Sequence, residues 1–353
     1  MSLFYKAGTQ VLRRLPAERA HTTTIRLLKT GLGPKGSAIN RPDLRTSVGG
    51  LDLPNPVGLA AGFDKNAEVP DAMLGAGFGF VECGTVTPRP QAGNPKPRLF
   101  RLTESQAVIN RMGFNNEGLD AFSRRLRARQ GRPGIVGANL GANKDSPDRV
   151  ADYLEGLTRL WGLSDYFTIN ISSPNTPGLR KLQGADEMDE LLERIAQTRQ
   201  QLAADGTNYP VFLKVAPDLD ESAVPRVVEQ VRTYALDAII VANTTIDRPA
   251  SIEAHWAEEA GGLSGQPLFE KSTRLLAEFH AATNGKIDLI GVGGIGSGEQ
   301  AYAKIKAGAK AVQLYSALVF HGPQLVAEIC EDLSARLKAD GFATLSEAVG
   351  TES

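Results

Sequence analysis

The stretch DLIGVGGIGSGEQAYAKIKAGAKAVQLYS, residues 288–316, decides the fold class of this chain. It contains an apolar run at 288–292, a glycine-rich loop, a helical stretch and a second apolar run at 311–315. Short and nearly continuous apolar runs that alternate with helices are typical of parallel strands buried on both faces. The stretch therefore predicts one unit of a parallel α/β fold.

Six further apolar runs precede this stretch, and each is followed by a polar loop and a helical segment; they span residues 56–61, 78–85, 134–140, 165–171, 210–215 and 238–242. Eight such units predict an α/β fold of the closed (β/α)8 or TIM barrel type, which a chain of 353 residues can form as one domain. An open, doubly wound sheet remains the structural alternative. A short hairpin is expected around Gly49-Gly50.

Residues 1–45 differ from the rest and predict a small extension before a barrel domain at 46–353. Two amphipathic helices are expected at 3–15 and 18–32, separated by Pro16. Their apolar stripes are formed by Phe4, Val11, Leu12 and Leu15 in the first helix and by His21, Ile25, Leu28 and Leu32 in the second. The extension carries nine basic and two acidic side chains, a balance that suits an anionic surface.

Composition excludes several other classes of protein. The net charge of −1 gives no general attraction to nucleic acid, and the separated Cys83 and Cys330 indicate neither a disulfide framework nor a metal site. No apolar run approaches the roughly 20 residues that span a bilayer. Because Arg13 and Arg14 interrupt any signal-peptide core, we expect a chain that neither spans a membrane nor is exported.

Polar side chains follow several of the predicted strands, where the chemistry of such barrels takes place. Asn139, Asn170 and Asn243 end three strands, and amides suit a ring with carbonyl and imide edges. Lys65 suits a carboxylate, although a surface lysine is the plainer interpretation. Lys214 lies within an apolar strand, so it faces either a pocket or a structural ion pair.

Two loops complete the predicted site. The glycines after the seventh strand and the Tyr315-Ser316 pair after the eighth occupy the usual phosphate-binding position of this fold. The loop NISSPNTPGLR, residues 170–180, is a plausible lid that holds Ser173 over a ligand. No histidine accompanies that serine in the motif, which argues against hydrolysis, whereas a role as proton acceptor stays open if a water or a neighbouring hydroxyl relays the charge.

The motifs of this chain resemble those of the class 2, quinone-dependent dihydroorotate dehydrogenases over nearly the whole length. The matching segments are LAAGFDKN (59–66), GTVTPRPQAGNPKPRLFR (84–101), INRMGFNN (109–116), GANLGANKD (137–145), NISSPNTPGLR (170–180), ANTT (242–245), GGLSGQPL (261–268) and GVGGIGSG (291–298). The resemblance implies oxidation of dihydroorotate to orotate in pyrimidine biosynthesis, with FMN as cofactor. It implies that Ser173 removes the C5 proton and that the C6 hydride passes to flavin N5.

The same resemblance assigns the other site residues. The substrate positions are Lys65, Asn110, Arg111, Met112, Gly113, Phe114, Asn170, Asn175, Asn243 and Thr244. The FMN positions are Ala61, Gly62, Thr85, Asn139, Asn170, Lys214, Ala242, Gly265, Gly293, Gly294, Tyr315 and Ser316. A tunnel for ubiquinone or menaquinone is expected beside His21 and Arg101, although a histidine packed on the barrel is the plainer interpretation of His21.

The N-terminal extension and the expected quinone acceptor predict where in the cell the protein acts. Amphipathic helices with a basic rim suit a peripheral position on a membrane, and the resemblance implies the cytoplasmic face of the inner membrane and a monomer. Two alternatives stay open: a flavin barrel that uses a soluble acceptor, and a barrel that binds a phosphate ligand without redox chemistry.

Overall fold

The computed structural model describes residues 2–220 and 222–352, and the side chains from residue 8 onward. Eight parallel strands form a closed barrel in chain order, with the last strand paired to the first. They are β3 (Val57–Leu59), β4 (Phe80–Val86), β7 (Ile135–Leu140), β8 (Tyr166–Asn170), β9 (Val211–Val215), β10 (Ala238–Val241), β12 (Asp288–Val292) and β13 (Ala311–Leu314). All eight predicted strands and the TIM barrel are confirmed, and the open sheet is excluded.

The barrel interior is packed with aromatic side chains at its amino-terminal end. Phe80, Tyr166 and Phe212 are fully buried there, and the rings of Tyr166 and Phe212 stack with centroids 4.8 Å apart. Gly58 and Gly137 are required beside them, since a Cβ atom at either position would overlap the ring of Phe80 or Tyr166. The interior is therefore a solid core, and only its carboxyl end is left open to a ligand.

Twelve α-helices occur in the described part of the chain. They are α1 (Ser2–Arg13), α2 (Ala17–Lys29), α3 (Pro70–Leu74), α4 (Gly118–Arg129), α5 (Arg149–Leu160), α6 (Ala185–Leu202), α7 (Ala223–Thr233), α8 (Phe269–Thr283), α9 (Gly298–Lys306), α10 (Ser316–His321), α11 (Leu325–Ala339) and α12 (Leu345–Ala348). Most of them pack buried apolar faces against the outside of the barrel. None of the described helices is long and apolar enough to cross a bilayer.

Two small sheets lie at opposite ends of the barrel. The hairpin of β1 (Thr46–Val48) and β2 (Leu51–Leu53) was predicted, and its Val48 packs with the aromatic layer at the amino-terminal end. The antiparallel sheet of β5 (Leu99–Leu102), β6 (Ala107–Asn110) and β11 (Gly262–Gly265) was not predicted. It brings residues about 150 positions apart in the chain together above the carboxyl ends of the strands.

Helices α1 and α2, which we call the head, lie over that same end. Helix α1 packs against α10 and α2 against β5. Arg98 bonds Glu18 of the head at 2.8 Å, and Arg101 donates to the Arg13 carbonyl oxygen at 2.7 Å. Both helices were predicted, but α2 ends at Lys29, three residues before the predicted end.

The predicted apolar stripes of the head are only partly packed. Ile25 is buried, whereas Val11 and Leu32 are 62% and 63% exposed. The side chain of Phe4, which was assigned to the first stripe, lies outside the described side chains.

Candidate active site

One cavity of about 750 Å³ lies between the head and the carboxyl ends of the barrel strands. Nearly all of the predicted site residues line it. They are His21, Ala61, Gly62, Lys65, Thr85, Arg101, Asn110, Met112, Gly113, Phe114, Asn170, Ser173, Asn175, Lys214, Ala242, Asn243, Thr244, Gly265, Gly293, Gly294, Tyr315 and Ser316. The strand ends, the lid loop and the head thus enclose a single space.

Two predicted residues do not line the cavity. Arg111 turns away from it to form an ion pair with Glu259 and to lie over the ring of Phe100, 4.7 Å from its centroid. Asn139 is fully buried and bonds the cavity residue Thr85. Both assignments remain predictions, and any role of these two side chains is exerted through their neighbours.

Ser173 is held in a closed loop at the end of β8. Its side chain is buried, and its Oγ accepts a hydrogen bond from the Asn175 backbone N–H at 3.2 Å. Arg180 ties the loop down, since it donates to the carbonyl oxygens of Ser172 and Thr244 and pairs with Asp218 at 2.8 Å. No histidine bonds Ser173 in the described part of the chain, so the arrangement does not resemble that of a hydrolase.

Amide groups surround the serine. Asn175 donates to the Asn110 Oδ1 at 3.1 Å, which joins the lid loop to the β6 strand of the small sheet. Asn243, at the end of β10, donates to the Ser172 hydroxyl at 2.8 Å. The hydroxyl of Thr244 is buried and has no partner among the described residues. These groups can bond a small ring with several carbonyl and N–H positions.

Lys65 brings a positive charge to the end of β3. Its ammonium donates to the Gly62 carbonyl oxygen at 2.6 Å and forms no ion pair with the described carboxylates. Burial, assisted by the charge of Arg98, lowers the pKa of Lys65 to about 8. An anionic ligand beside Lys65 would raise this pKa again, because its negative charge would stabilise the protonated ammonium.

Lys214 supplies a second buried charge on β9. It is 4% exposed, and its ammonium has no hydrogen-bond partner among the described residues. Burial lowers the pKa of Lys214, and the nearby Glu82 partly opposes that effect. The carbonyl oxygen of the Gln313 side chain is also buried and unpaired here. The strand ends therefore contain an unpaired donor, the Lys214 ammonium, and an unpaired acceptor, the Gln313 carbonyl oxygen. A flat, polar isoalloxazine ring would satisfy both.

The loop after β12 fits a phosphate group. Gly293 and Gly294 have φ values of 108° and 77°, and a Cβ atom at Gly294 would overlap Phe269 at the start of α8. Only glycine allows this course of the backbone, which leaves N–H groups free to face an anion. Ser316 lies nearby and donates to the Ser264 hydroxyl at 2.8 Å. The residues present therefore fit FMN: Lys214 could face its ring, and these glycines could hold its phosphate.

The head closes the other side of the cavity. The Nδ1 atom of His21 lies 3.3 Å from the Tyr315 hydroxyl, and its ring makes an edge contact with Phe63 at 5.7 Å. Burial, and secondarily the charge of Lys65, lower the pKa of His21 well below its usual value. A neutral histidine and a tyrosine thus face the space between the barrel and the head.

Several lining residues were missed by the sequence reasoning. Gln313 and Ser264 lie on β13 and β11, and His321 lies at the end of α10. A glutamine in the apolar run AVQL was a usable signal, because a polar side chain there must face a partner or a ligand. Ser264 could not be found, since β11 was not recognised as a strand. No cluster of metal-binding side chains occurs within residues 2–220 and 222–352.

Comparisons with known proteins agree with this geometry. The family model for dihydroorotate dehydrogenase matches residues 43–337. A dihydroorotate dehydrogenase (quinone) of Xanthobacter autotrophicus is 54% identical over 346 residues, which cover 97% of each chain. That of Parvibaculum lavamentivorans is 54% identical over 335 residues, which cover 95% of this chain and 94% of the relative.

Solved structures give the same result. The crystal structure of an Eimeria tenella DHODH in complex with ferulenol has a TM-score of 0.91 and 38% sequence identity, and the match covers 96% of both chains. The ligand-free structure of the enzyme from the same organism has a TM-score of 0.91 and 39% identity, and the match covers 96% of this chain and 99% of that one.

Proposed function

The chain belongs to the dihydroorotate dehydrogenase family, and from this premise we propose how its cavity carries out the reaction. The protein is an FMN-dependent oxidoreductase that converts dihydroorotate to orotate in pyrimidine biosynthesis and uses a quinone as electron acceptor. The observation that carries our proposal is the convergence of Ser173, Lys65 and the unpaired Lys214 on one enclosed cavity.

Substrate binding depends first on an electrostatic contact with the substrate carboxylate. Lys65 binds the carboxylate of dihydroorotate, since its ammonium has no carboxylate partner of its own among the described residues. Amide and hydroxyl groups around the lid bond the edges of the ring. They belong to Asn110, Asn170, Asn175, Asn243 and Thr244. In the segment Arg111, Met112, Gly113 and Phe114, the last three residues form the cavity wall, and Arg111 anchors the segment through its ion pair with Glu259.

Ser173 acts as the base. Its hydroxyl oxygen takes the proton from C5 of dihydroorotate, and the hydroxyl's own proton passes to a water or to a neighbouring hydroxyl group that relays it. A serine is weakly basic, so its position and the exclusion of water must contribute much of the rate. The closed loop held by Arg180 provides both.

FMN is held by the strand ends and the glycine loop. We assign its contacts to Ala61, Gly62, Thr85, Asn170, Lys214, Ala242, Gly265, Gly293, Gly294, Tyr315 and Ser316, and we assign Asn139 a supporting role through its hydrogen bond with Thr85. When bound, FMN supplies the hydride acceptor for C6 and the link to the quinone. Lys214 would stabilise negative charge on the bound ring, and the glycine loop would hold the phosphate through backbone N–H groups.

The head gives access to the quinone. We assign residues 1–45 to an extension that admits ubiquinone or menaquinone past His21 and Arg101, and residues 46–353 to the catalytic barrel. Exposed apolar side chains within residues 1–45, among them Val11 and Leu32, suit the lipid surface on which a quinone resides. We propose a monomer bound peripherally to the cytoplasmic face of the inner membrane.

Anaerobic titration tests the proposal. Dihydroorotate added under argon to the purified yellow protein should bleach the flavin absorbance, and a short-chain quinone should then restore it. A colourless protein would favour a barrel that binds a phosphate ligand without redox chemistry. Bleaching that only a soluble acceptor reverses would contradict the role of the head.

A further inference from the structure

Glu82 is a fully buried carboxylate that does not line the cavity. It lies on β4 inside the barrel and accepts hydrogen bonds from four side chains, at distances between 2.7 and 3.3 Å. The donors are Asn139 Nδ2, Gln313 Nε2, Thr168 Oγ1 and Tyr166 OH. A buried charge with this many partners is costly to desolvate, so its presence requires an explanation beyond packing.

The carboxylate fixes the orientation of one amide. An ionised carboxylate can only accept hydrogen bonds, so Asn139 must turn its Nδ2 toward Glu82. Its Oδ1 then faces the strand ends, where it accepts from Thr85 Oγ1 at 2.5 Å and from Asn170 Nδ2 at 3.1 Å. The donor side of Asn170 is thereby fixed as well.

The orientation of Asn170 in turn determines the hydrogen-bond direction in the lid loop. With its Nδ2 turned inward, Asn170 presents Oδ1 to Ser172, whose hydroxyl donates to it at 2.7 Å. The Ser172 oxygen is then left to accept from Asn243 Nδ2 at 2.8 Å, and Asn243 Oδ1 accepts from the Thr244 N–H at 2.7 Å. We call the series Glu82, Asn139, Thr85, Asn170, Ser172 and Asn243 the amide chain.

We propose that Glu82 is a positioning residue, which sets the donor–acceptor direction of the amide chain and so makes Asn243 present an N–H to the ligand. Thr85, Asn170 and Asn243 line the cavity, whereas Glu82 lies beneath it. Asn243 Nδ2 carries two hydrogens, and only one has a partner among the described residues. The inference rests on the proposed function, because the carboxylate and carbonyl oxygens of orotate are acceptors for this N–H group.

A purely structural role for Glu82 is the competing explanation. Tyr166 offers the matched control, because its phenol bonds Oε2 of the same carboxylate, whereas the amide chain begins at Oε1. Tyr166→Phe removes a partner of Glu82 but leaves its charge and the direction of the chain unchanged. A structural role predicts similar effects for both variants, whereas our proposal predicts an effect for Glu82 alone.

Glu82→Gln tests the proposal in the FMN-loaded, full-length protein. The variant keeps the shape of the side chain but replaces one carboxylate oxygen with an NH2 group. Asn139 is then no longer forced into one orientation, so Asn243 turns its oxygen toward the ligand part of the time. We expect the orotate dissociation constant, measured by calorimetry, to rise about tenfold. Tyr166→Phe should stay within about twofold of the original value, with flavin content and melting temperature measured for both.

Ser172→Ala keeps the test decisive if Glu82→Gln does not fold. The substitution removes the hydroxyl that fixes the orientation of Asn243. Ser172 itself lies in a loop. We again expect about tenfold weaker orotate binding, and no further loss when the two substitutions are combined, since both break the same chain.

Three outcomes would overturn the proposal: orotate binding within twofold of the original for Ser172→Ala, the same for a folded Glu82→Gln, or an equal loss for Tyr166→Phe. Failure of the unmodified, flavin-loaded protein to bind orotate would instead refute the proposed function.

Discussion

The Lys65 ammonium is held by the carbonyl oxygen of Gly62, three residues earlier in the chain, at a distance of 2.6 Å. This bond keeps the charge at the end of the first barrel strand, although burial makes the charged form less favourable. The carbonyl oxygen stabilises the ammonium only modestly compared with a carboxylate. The affinity for an anionic ligand should therefore depend on the protonation of this one side chain.

Orotate binding should accordingly weaken at high pH. The pKa of Lys65 is lowered to about 8, so the ammonium is charged below that pH and loses its proton above it. Affinity should be constant below pH 8 and should fall by up to about tenfold per pH unit above it. Lys65→Arg, which stays charged, serves as the control and should remove the dependence. A flat profile for the unmodified protein between pH 6.5 and 9.5 would refute the role of Lys65.

Ser173→Ala should slow the chemical step without weakening FMN binding. Loss of a positioned base costs about 100-fold to 10,000-fold in rate, which stopped-flow bleaching by dihydroorotate would detect. Ser164 is a suitable control, because it is also buried, has an unpaired hydroxyl and precedes β8, whereas Ser173 follows it. Ser164→Ala should react at the normal rate. An unchanged rate for Ser173→Ala would mean that another group takes the proton.

Lys214→Met should make the flavin harder to reduce. The substitution removes the positive charge that we place beside the ring, so the midpoint potential should fall by about 30 mV or more. Lys304→Met is the matched control, because Lys304 is equally buried but bonds Ser272 outside the cavity. Its substitution should lower the melting temperature and leave the potential unchanged. Equal potentials for the two variants would contradict the assignment of Lys214.

Removal of residues 1–33 should separate the two half-reactions. The deleted segment contains the head and His21, whereas every residue assigned to dihydroorotate lies in the barrel. We expect dihydroorotate to bleach the flavin of the shortened protein, and a quinone to restore the colour far more slowly than in the full chain. Full quinone turnover by the shortened protein would show that the head is not needed for access.

Charge on the head should disrupt membrane binding. Val11→Asp combined with Leu32→Asp places carboxylates where exposed apolar side chains would enter the lipid. Sedimentation with anionic vesicles should show binding at least about tenfold weaker, given the free energy of burying two such side chains. Ile246→Asp is the control, since Ile246 is 57% exposed on the barrel. Equal vesicle binding by all three proteins would argue against a membrane role for the head.

The barrel strands were predictable because burial on both faces leaves a nearly continuous apolar run, as in VFLKV of β9. The three-stranded sheet was not, since LFRL, AVIN and GLSG are four-residue segments that pair over long sequence separations. Motif resemblance selected residues of which nearly all line one cavity, but it could not show that Arg111 turns toward Glu259. The amide chain was also hidden, because hydrogen-bond direction depends on side chains that four separate segments bring together.

The two tryptophans of the chain lie in different parts of the molecule. Trp256 packs on Phe100 of β5, next to the Arg101 that bonds the head, with ring centroids 5.5 Å apart. Trp161 stacks on Phe167 just after α5, away from the cavity. The molecule therefore contains its own pair of fluorophores: the emission of Trp256 should change when the head detaches or engages lipid, and that of Trp161 provides an internal reference.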